Sequence, residues 1–135
     1  MKLLAILILC LFSGCSGFLV KDHIVDDFYL IATDSPQQSS LSFCDPGDNE
    51  GCAGIIKATV FAIGFNTKYI IAKQHPSNNK SITQYFIVPI KLKDKVWGNY
   101  FGLIGPLSLK QFNSKRLELN IPDSVTFTKV IHELE

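Results

Sequence analysis

The chain has 135 residues, enough for one domain and too few for a second independent core. Its 47% hydrophobic content with 19% charged residues is a globular composition and excludes intrinsic disorder. Lys and Arg number 13 against 12 Asp and Glu, and loss of an N-terminal segment carrying Lys2 leaves 12 against 12, so there is no basic footprint for nucleic acid.

Met1-Lys2 places one positive charge ahead of an uninterrupted apolar run, Leu3 to Phe12. A membrane span needs about 20 such residues, and this run has ten. The short run, its charged start and the small pair Ser13-Gly14 form the layout of a secretory signal over residues 1–14. The next residue is Cys15, and "LFSGC" resembles a bacterial lipobox, in which the signal is cut before the cysteine and the thiol carries a diacylglycerol. Phe12 departs from that pattern, where Leu, Val or Ile is usual, and Cys10 with Ile8-Leu9 before it fits less well. The resemblance implies lipidation of Cys15; ordinary secretion with Cys15 free or paired, and a retained buried segment, are the alternatives. Acyl chains contribute about 0.8 kcal/mol per buried CH₂, so two or three on one residue hold stably. The mature protein is then expected to be exported and lipid-anchored to a bacterial membrane without spanning it. Ser16 resembles the choice that permits transfer to an outer membrane, which makes that membrane or the cell surface the expected location. Residues 15–26 are expected to form the lipidated N-terminus and tether, and residues 27–135 a single globular domain.

Phe28 to Thr33 is rich in β-branched and aromatic residues and ends at Asp34-Ser35-Pro36, which reads as a strand. "SSLSFC" alternates Leu41 and Phe43 against Ser40 and Ser42, the period of a half-buried strand. With Cys10 removed and Cys15 acylated, Cys44 and Cys52 remain, bracketing "DPGDNEG". An exported compartment lets disulfides persist, and the intervening turn formers let the two ends meet. A Cys44–Cys52 bridge is expected. Asp45, Asp48 and Glu50 in that loop invite a calcium reading, but their spacing misses the D-x-[DN]-x-[DN]-G pattern, and a solvated acidic turn accounts for them. His23, His75 and His132 stand at no zinc-ligand spacing, so no metal is expected.

The most apolar block, "GIIKATVFAIGFNTKYIIAKQHP", is interrupted by Lys57, Gly64, Asn66 and Lys68, and Asn66-Thr67 separates two runs rich in Val, Ile, Phe and Tyr. A hairpin is predicted, with strands of about 55–65 and 68–75. Phe61, Ile63 and Phe65 on one face and Ile56, Val60 and Ala62 on the other make these central strands, covered on both sides. "SITQYFIVPIKL" is a further strand, in which Pro89 belongs at an edge, a bulge or the strand end. In "GPLSLKQFNSKRLELNIPD", Ser108 with Gln111 forms a capping box and Leu107 can staple onto Phe112. Leu109, Phe112 and Leu119 are expected to form the buried stripe, and Asn120 with Pro122 the stop. Residues 124–134 alternate as a strand, with a closing helix as the alternative. Short links between neighbouring strands favour a meander. The expected fold is α+β, mainly an antiparallel β-sheet meander with one C-terminal helix packed on a face.

The chain lacks G-x-S-x-G, H-E-x-x-H, paired C-x-x-C and G-x-x-x-x-G-K-[ST]. "GCAGIIKAT" has glycines at the wrong spacing for a phosphate loop and runs directly into the apolar block. The 12 carboxylates are scattered, and no cofactor is implied. "YIIAKQHP" is the unusual segment. It puts Lys73, Gln74 and His75 at the end of a buried strand, Lys73 and His75 on one face and Gln74 on the other. Such residues commonly line a cleft, and histidine works near neutral pH. Alternatively, the strand simply emerges into solvent there.

"GFNTKYIIAKQHP", "TQYFIVPI" and "GPLSLKQF", in that order, resemble a family of small bacterial lipoproteins of unknown function, over about residues 27–122. The IAKQHP run is the most specific part. The resemblance implies one exported domain and no activity, substrate or catalytic residue. The expected function is therefore a non-enzymatic binding or structural module of the cell envelope, held to the membrane by its lipid and meeting an envelope or extracellular protein. Tyr29, Trp97, Tyr100 and Phe101 could serve as contacts, although "KVWGNYFGLIGP" equally suits a loop that packs the helix onto the sheet. The alternative is an inhibitor of a lysozyme-type hydrolase, with "DPGDNEG" as its inserted loop. A third reading, an enzyme using Lys73 and His75, needs a neighbouring nucleophile or metal that the sequence does not place.

Overall fold

Turn chemistry cuts the apolar sequence into short strands, most of them pairing with a neighbour in the chain. The computed structural model describes residues 19–44, 51–91, 95–96, 99–100 and 102–135. Residues 1–18, which hold the expected signal and Cys15, together with residues 45–50, Trp97 and Phe101, lie outside the described residues.

Strands β1 (Val20–Val25), β2 (Phe28–Ala32), β3 (Ser40–Cys44) and β4 (Cys52–Ile56) form a first antiparallel sheet in sequence order. β1 corrects one expectation, since it occupies part of the stretch 15–26 read as tether. Asp26-Asp27 looks like a polar linker in the sequence, but Asp26 takes a positive φ of 48° and turns β1 back onto β2. Ile24 is thereby buried in the core. At the far end of this sheet Cys44 faces Cys52, and the two are joined by a disulfide.

Strands β5 (Val60–Phe65), β6 (Tyr69–Gln74), β7 (Gln84–Pro89), β10 (Ile104–Leu107) and β11 (Lys129–Val130) form a second antiparallel sheet, ordered β10-β7-β6-β5-β11. Between β7 and β10, β8 (Lys95–Val96) and β9 (Asn99–Tyr100) pair only with each other. The single strand expected over 55–65 is two. β4 completes the first sheet, and Lys57-Ala58-Thr59 carries the chain across to start the second. The hairpin at Asn66 is as expected: its side-chain oxygen accepts the Lys68 and Tyr69 amides, each at 2.8 Å, an Asx turn that closes β5 onto β6. Pro89 ends β7, where its missing N–H breaks no ladder.

The two sheets pack face to face. Phe28, Leu30, Leu41 and Ile56 from the first meet Ile63, Ile70, Ala72 and Val88 from the second in one buried cluster. The opposite face of the second sheet, Ile71 and Ile87, is covered by α1 (Leu109–Glu118) and the segment after it through Phe112, Ile121 and Val125. The layers are thus sheet, sheet, helix. No helix among the described residues is long and apolar enough to cross a membrane.

The helix ends where local chemistry says it should. The Ser108 hydroxyl accepts the Gln111 amide at 3.2 Å, and the Gln111 side chain accepts the Ser108 amide at 2.9 Å, a complete capping box. At the other end Asn120 has φ 54°, the Asn120 amide donates to the Leu117 carbonyl and the Ile121 amide to the Arg116 carbonyl, the paired bonds of a Schellman stop. The expected stripe is only partly right. Phe112 is buried and Leu119 half-buried, but Leu109, in the first turn, is exposed. The segment 124–134 is neither a full strand nor a closing helix: it contains a two-residue strand, β11, followed by a 3₁₀ turn at His132–Leu134.

Two substitutions test this packing. A Cβ at Gly64 would run into the Thr126 backbone carbonyl and also meet the Ile71 side chain at 3.2 Å. Gly64→Ala should therefore lower the unfolding free energy by about 1–3 kcal/mol in a urea titration. The Cys44→Ala/Cys52→Ala double variant should lose about 2.5 kcal/mol on the chain-entropy account of a short loop. An unchanged midpoint in either case would contradict the corresponding contact.

Candidate functional site

β6 leaves the second sheet through Lys73, Gln74 and His75, and its alternation sends them to different places. Lys73 lies on the helix-facing side. Its ammonium stands 4.7 Å from the Phe127 ring centre and 5.9 Å from that of Tyr85. Those rings belong to an aromatic group in which Tyr85 stacks on Phe112 at 4.9 Å. The charge thus caps the electron-rich faces of this cluster.

Gln74 points to the inter-sheet side and is buried. Its side-chain amide donates to the Lys57 carbonyl at 2.8 Å, so it satisfies a backbone group left over where the chain crosses between sheets. His75 is also buried and lies flat on Phe61, ring centres 4.0 Å apart and planes 11° from parallel. Its Nδ1 is 2.8 Å from the Ile82 carbonyl, which can only accept, so Nδ1 carries a proton and donates it there. Main-chain bonds between Thr59 and His75, 3.0 and 2.9 Å, continue the β5–β6 pairing beyond the strand ends. Gln74 Oε1 and His75 Nε2 are buried and have no hydrogen-bond partner among the described residues.

The three residues therefore share a strand end but do not converge on one space. Lys73 and His75 lie on one side of the sheet and Gln74 on the other, as the alternation requires. Tyr29, among the expected aromatic contacts, is half-buried and stands edge-on to His23, ring centres 5.1 Å apart.

Tertiary packing produces a different concavity. Where β1 and β11, the edge strands of the two sheets, approach each other, a cleft of about 440 Å³ opens. Val20, Leu30 and Ala32 line it from the first sheet, Val130 and Ile131 from β11 and the residue after it. The Lys129 ammonium binds the Asp22 carboxylate across these edges, and His132 and Glu133 complete the polar rim. Ser39 also lines the cleft, but its hydroxyl donates to the Val60 carbonyl. The volume lies in the range of small-molecule sites, and an apolar wall with a charged rim suits an amphiphilic guest. None of Lys73, Gln74 and His75 lines it. Sequence reading missed this cleft because its two walls are about a hundred residues apart in the chain, and a two-residue strand leaves no alternation to detect. Among the described residues, no group of three His, Cys, Asp or Glu side chains is placed to hold a metal ion.

The family described as Protein of unknown function (DUF3997) matches residues 25–131, a span that begins downstream of Cys15 and contains the whole IAKQHP run. No curated protein and no solved structure matches the chain.

If His75 is a packing residue, His75→Ala should cost about 3 kcal/mol, from the lost ring area on Phe61 and the freed Ile82 carbonyl. Lys73→Ala should cost under about 1 kcal/mol, the size of a partly exposed cation–π contact. Urea unfolding of the two variants checks the contrast, and equal losses would refute these placements.

Proposed function

The chain belongs to the family described as Protein of unknown function (DUF3997), and from that premise we propose that it is a bacterial lipoprotein, tethered by a diacylglyceryl group on Cys15, whose β-sandwich serves as a non-enzymatic binding module of the cell envelope. The observation that carries the reading is the N-terminal pattern: one charge, ten apolar residues and "SGC". The Cys44–Cys52 bridge supports it, because such bonds persist in exported compartments.

The binding half of the reading rests on the cleft. Its rim carries an ion pair between side chains that are a third to a half exposed, so water screens that pair and opening it costs little. A guest can enter without breaking a buried charge network. The lining offers an apolar wall and charged groups of both signs. The Ser39 hydroxyl in the lining is engaged with the Val60 carbonyl, and an apolar wall with a charged rim suits recognition of an amphiphilic guest.

Expression of the full chain and of Cys15→Ser in a bacterial host, fed an alkyne analogue of palmitate, tests the anchor. The unsubstituted chain should label and sediment with membranes, and its mature N-terminal peptide should carry the diacylglyceryl mass. Cys15→Ser should lose at least tenfold of the label and appear with soluble proteins. Unlabelled, soluble unsubstituted chain would end the lipoprotein reading.

A further inference from the structure

One end of the sandwich collects exposed apolar side chains that the fold itself does not use. Strand register defines that end. Val20 pairs with Ala32, Leu41 with Ile56, and Gln74 with both Val60 and Gln84. The Val60 amide donates to the Ser39 carbonyl, which brings the matching ends of the two sheets together. Leu107 opposite Tyr85 brings the helix start to the same end. The Cys44–Cys52 bridge and the Asn66 turn lie at the opposite end.

Among the described residues, five large apolar side chains are exposed. Three stand at this one end: Leu19, 55% exposed, immediately before β1; Ile82, 45% exposed, whose carbonyl holds His75; and Leu109, 54% exposed, at the first position of α1. The other two, Phe65 at the β5–β6 turn and Leu117 on the helix, lie elsewhere and serve as internal references.

We propose that this end of the sandwich rests on the bilayer, with Leu19, Ile82 and Leu109 entering the headgroup region, so that the domain is held by a face and not only by its acylated terminus. The proposal depends on the lipid-anchor reading of Cys15. The five residue steps from Cys15 to Val20 reach at most about 18 Å even when fully extended, and β1 begins at this end, so no other part of the domain is held closer to the membrane. A tether this short gives an effective concentration in the millimolar range, at which even a weak apolar contact is occupied. The bilayer interface accepts isolated Leu and Ile side chains at the depth they reach from a surface. Exposed Lys21, Lys57, Lys80 and Lys110 at or near this end stand against exposed Asp34, Glu133 and Glu135, close to balance, so the apolar side chains, more than net charge, drive the contact.

The test uses the full chain, exported and acylated by a bacterial host, in vesicles of phosphatidylethanolamine and phosphatidylglycerol containing a headgroup spin-labelled lipid. Ile82→Cys, Leu109→Cys, Phe65→Cys and Leu117→Cys, each at an exposed position, carry one environment-sensitive fluorophore, and circular dichroism checks that each is folded. Quenching at positions 82 and 109 should exceed that at 65 and 117 at least threefold, and should persist in 0.5 M salt, about five times the ionic strength that already limits surface electrostatics to about 10 Å. Equal quenching at all four positions, with the chain still floating with the vesicles, would overturn this orientation and leave the anchor intact. Failure to float would remove both readings. A fluorophore blue shift at 82 and 109 that grows with protein concentration in detergent, without selective quenching in vesicles, would assign the face to a second copy of the chain and overturn the proposal.

Discussion

The second sheet is apolar on both faces, and the rest of the structure follows from covering it. β5 and β6 send Ile63, Ile70 and Ala72 to one side and Ile71 to the other, all buried. Burial of one such side chain contributes about 1.5–3 kcal/mol, so neither face can be left in water. The N-terminal four-stranded sheet covers the first face. The helix and the strand-poor C-terminal segment cover the second, with Phe112, Ile121 and Val125 as the contact points. A small helix suffices because only its first turns need to reach the sheet; its outer side, including Leu117, remains exposed.

Stacking two sheets from one chain requires a crossing, and the crossing explains the polar residues at the end of β6. Between β4 and β5 the backbone of residues 57–59 leaves one ladder before it has fully joined the other. Buried peptide groups need partners wherever the ladder stops. Gln74 takes the Lys57 carbonyl, the Thr59 hydroxyl donates to the Gln37 carbonyl, and His75 exchanges main-chain bonds with Thr59. The IAKQHP run is therefore first of all a joint between sheets.

The same geometry separates this joint from the cleft. The joint lies where β4, the last strand of the first sheet, passes to β5 and β6 of the second, whereas the cleft lies where the edge strands β1 and β11 approach each other. Edge strands of two stacked sheets have one unpaired side each, and β11 is too short to seal that gap. The Asp22–Lys129 pair spans it in place of a backbone ladder.

What could be read along the chain were features whose cause is local. The capping box at Ser108 and Gln111 depends on residues three apart, the Asx turn at Asn66 on the next three residues, and the Cys44–Cys52 bridge on a short run of turn formers. The capping box and the Asx turn are present because each closes within one turn, and the bridge joins the facing strand ends Cys44 and Cys52. The alternation of Lys73, Gln74 and His75 across the sheet is local in the same sense. Sequence by itself thus determined the antiparallel strands, the helix with both its ends and the disulfide. Only tertiary structure decided that Val20–Val25 joins a sheet, that residues 55–65 divide between two sheets, that Leu109 faces water while His75 is buried, and that a cleft opens beside Asp22 and Lys129. Those outcomes depend on which surfaces meet, and residues separated by a hundred positions carry no pattern in the chain that says they will.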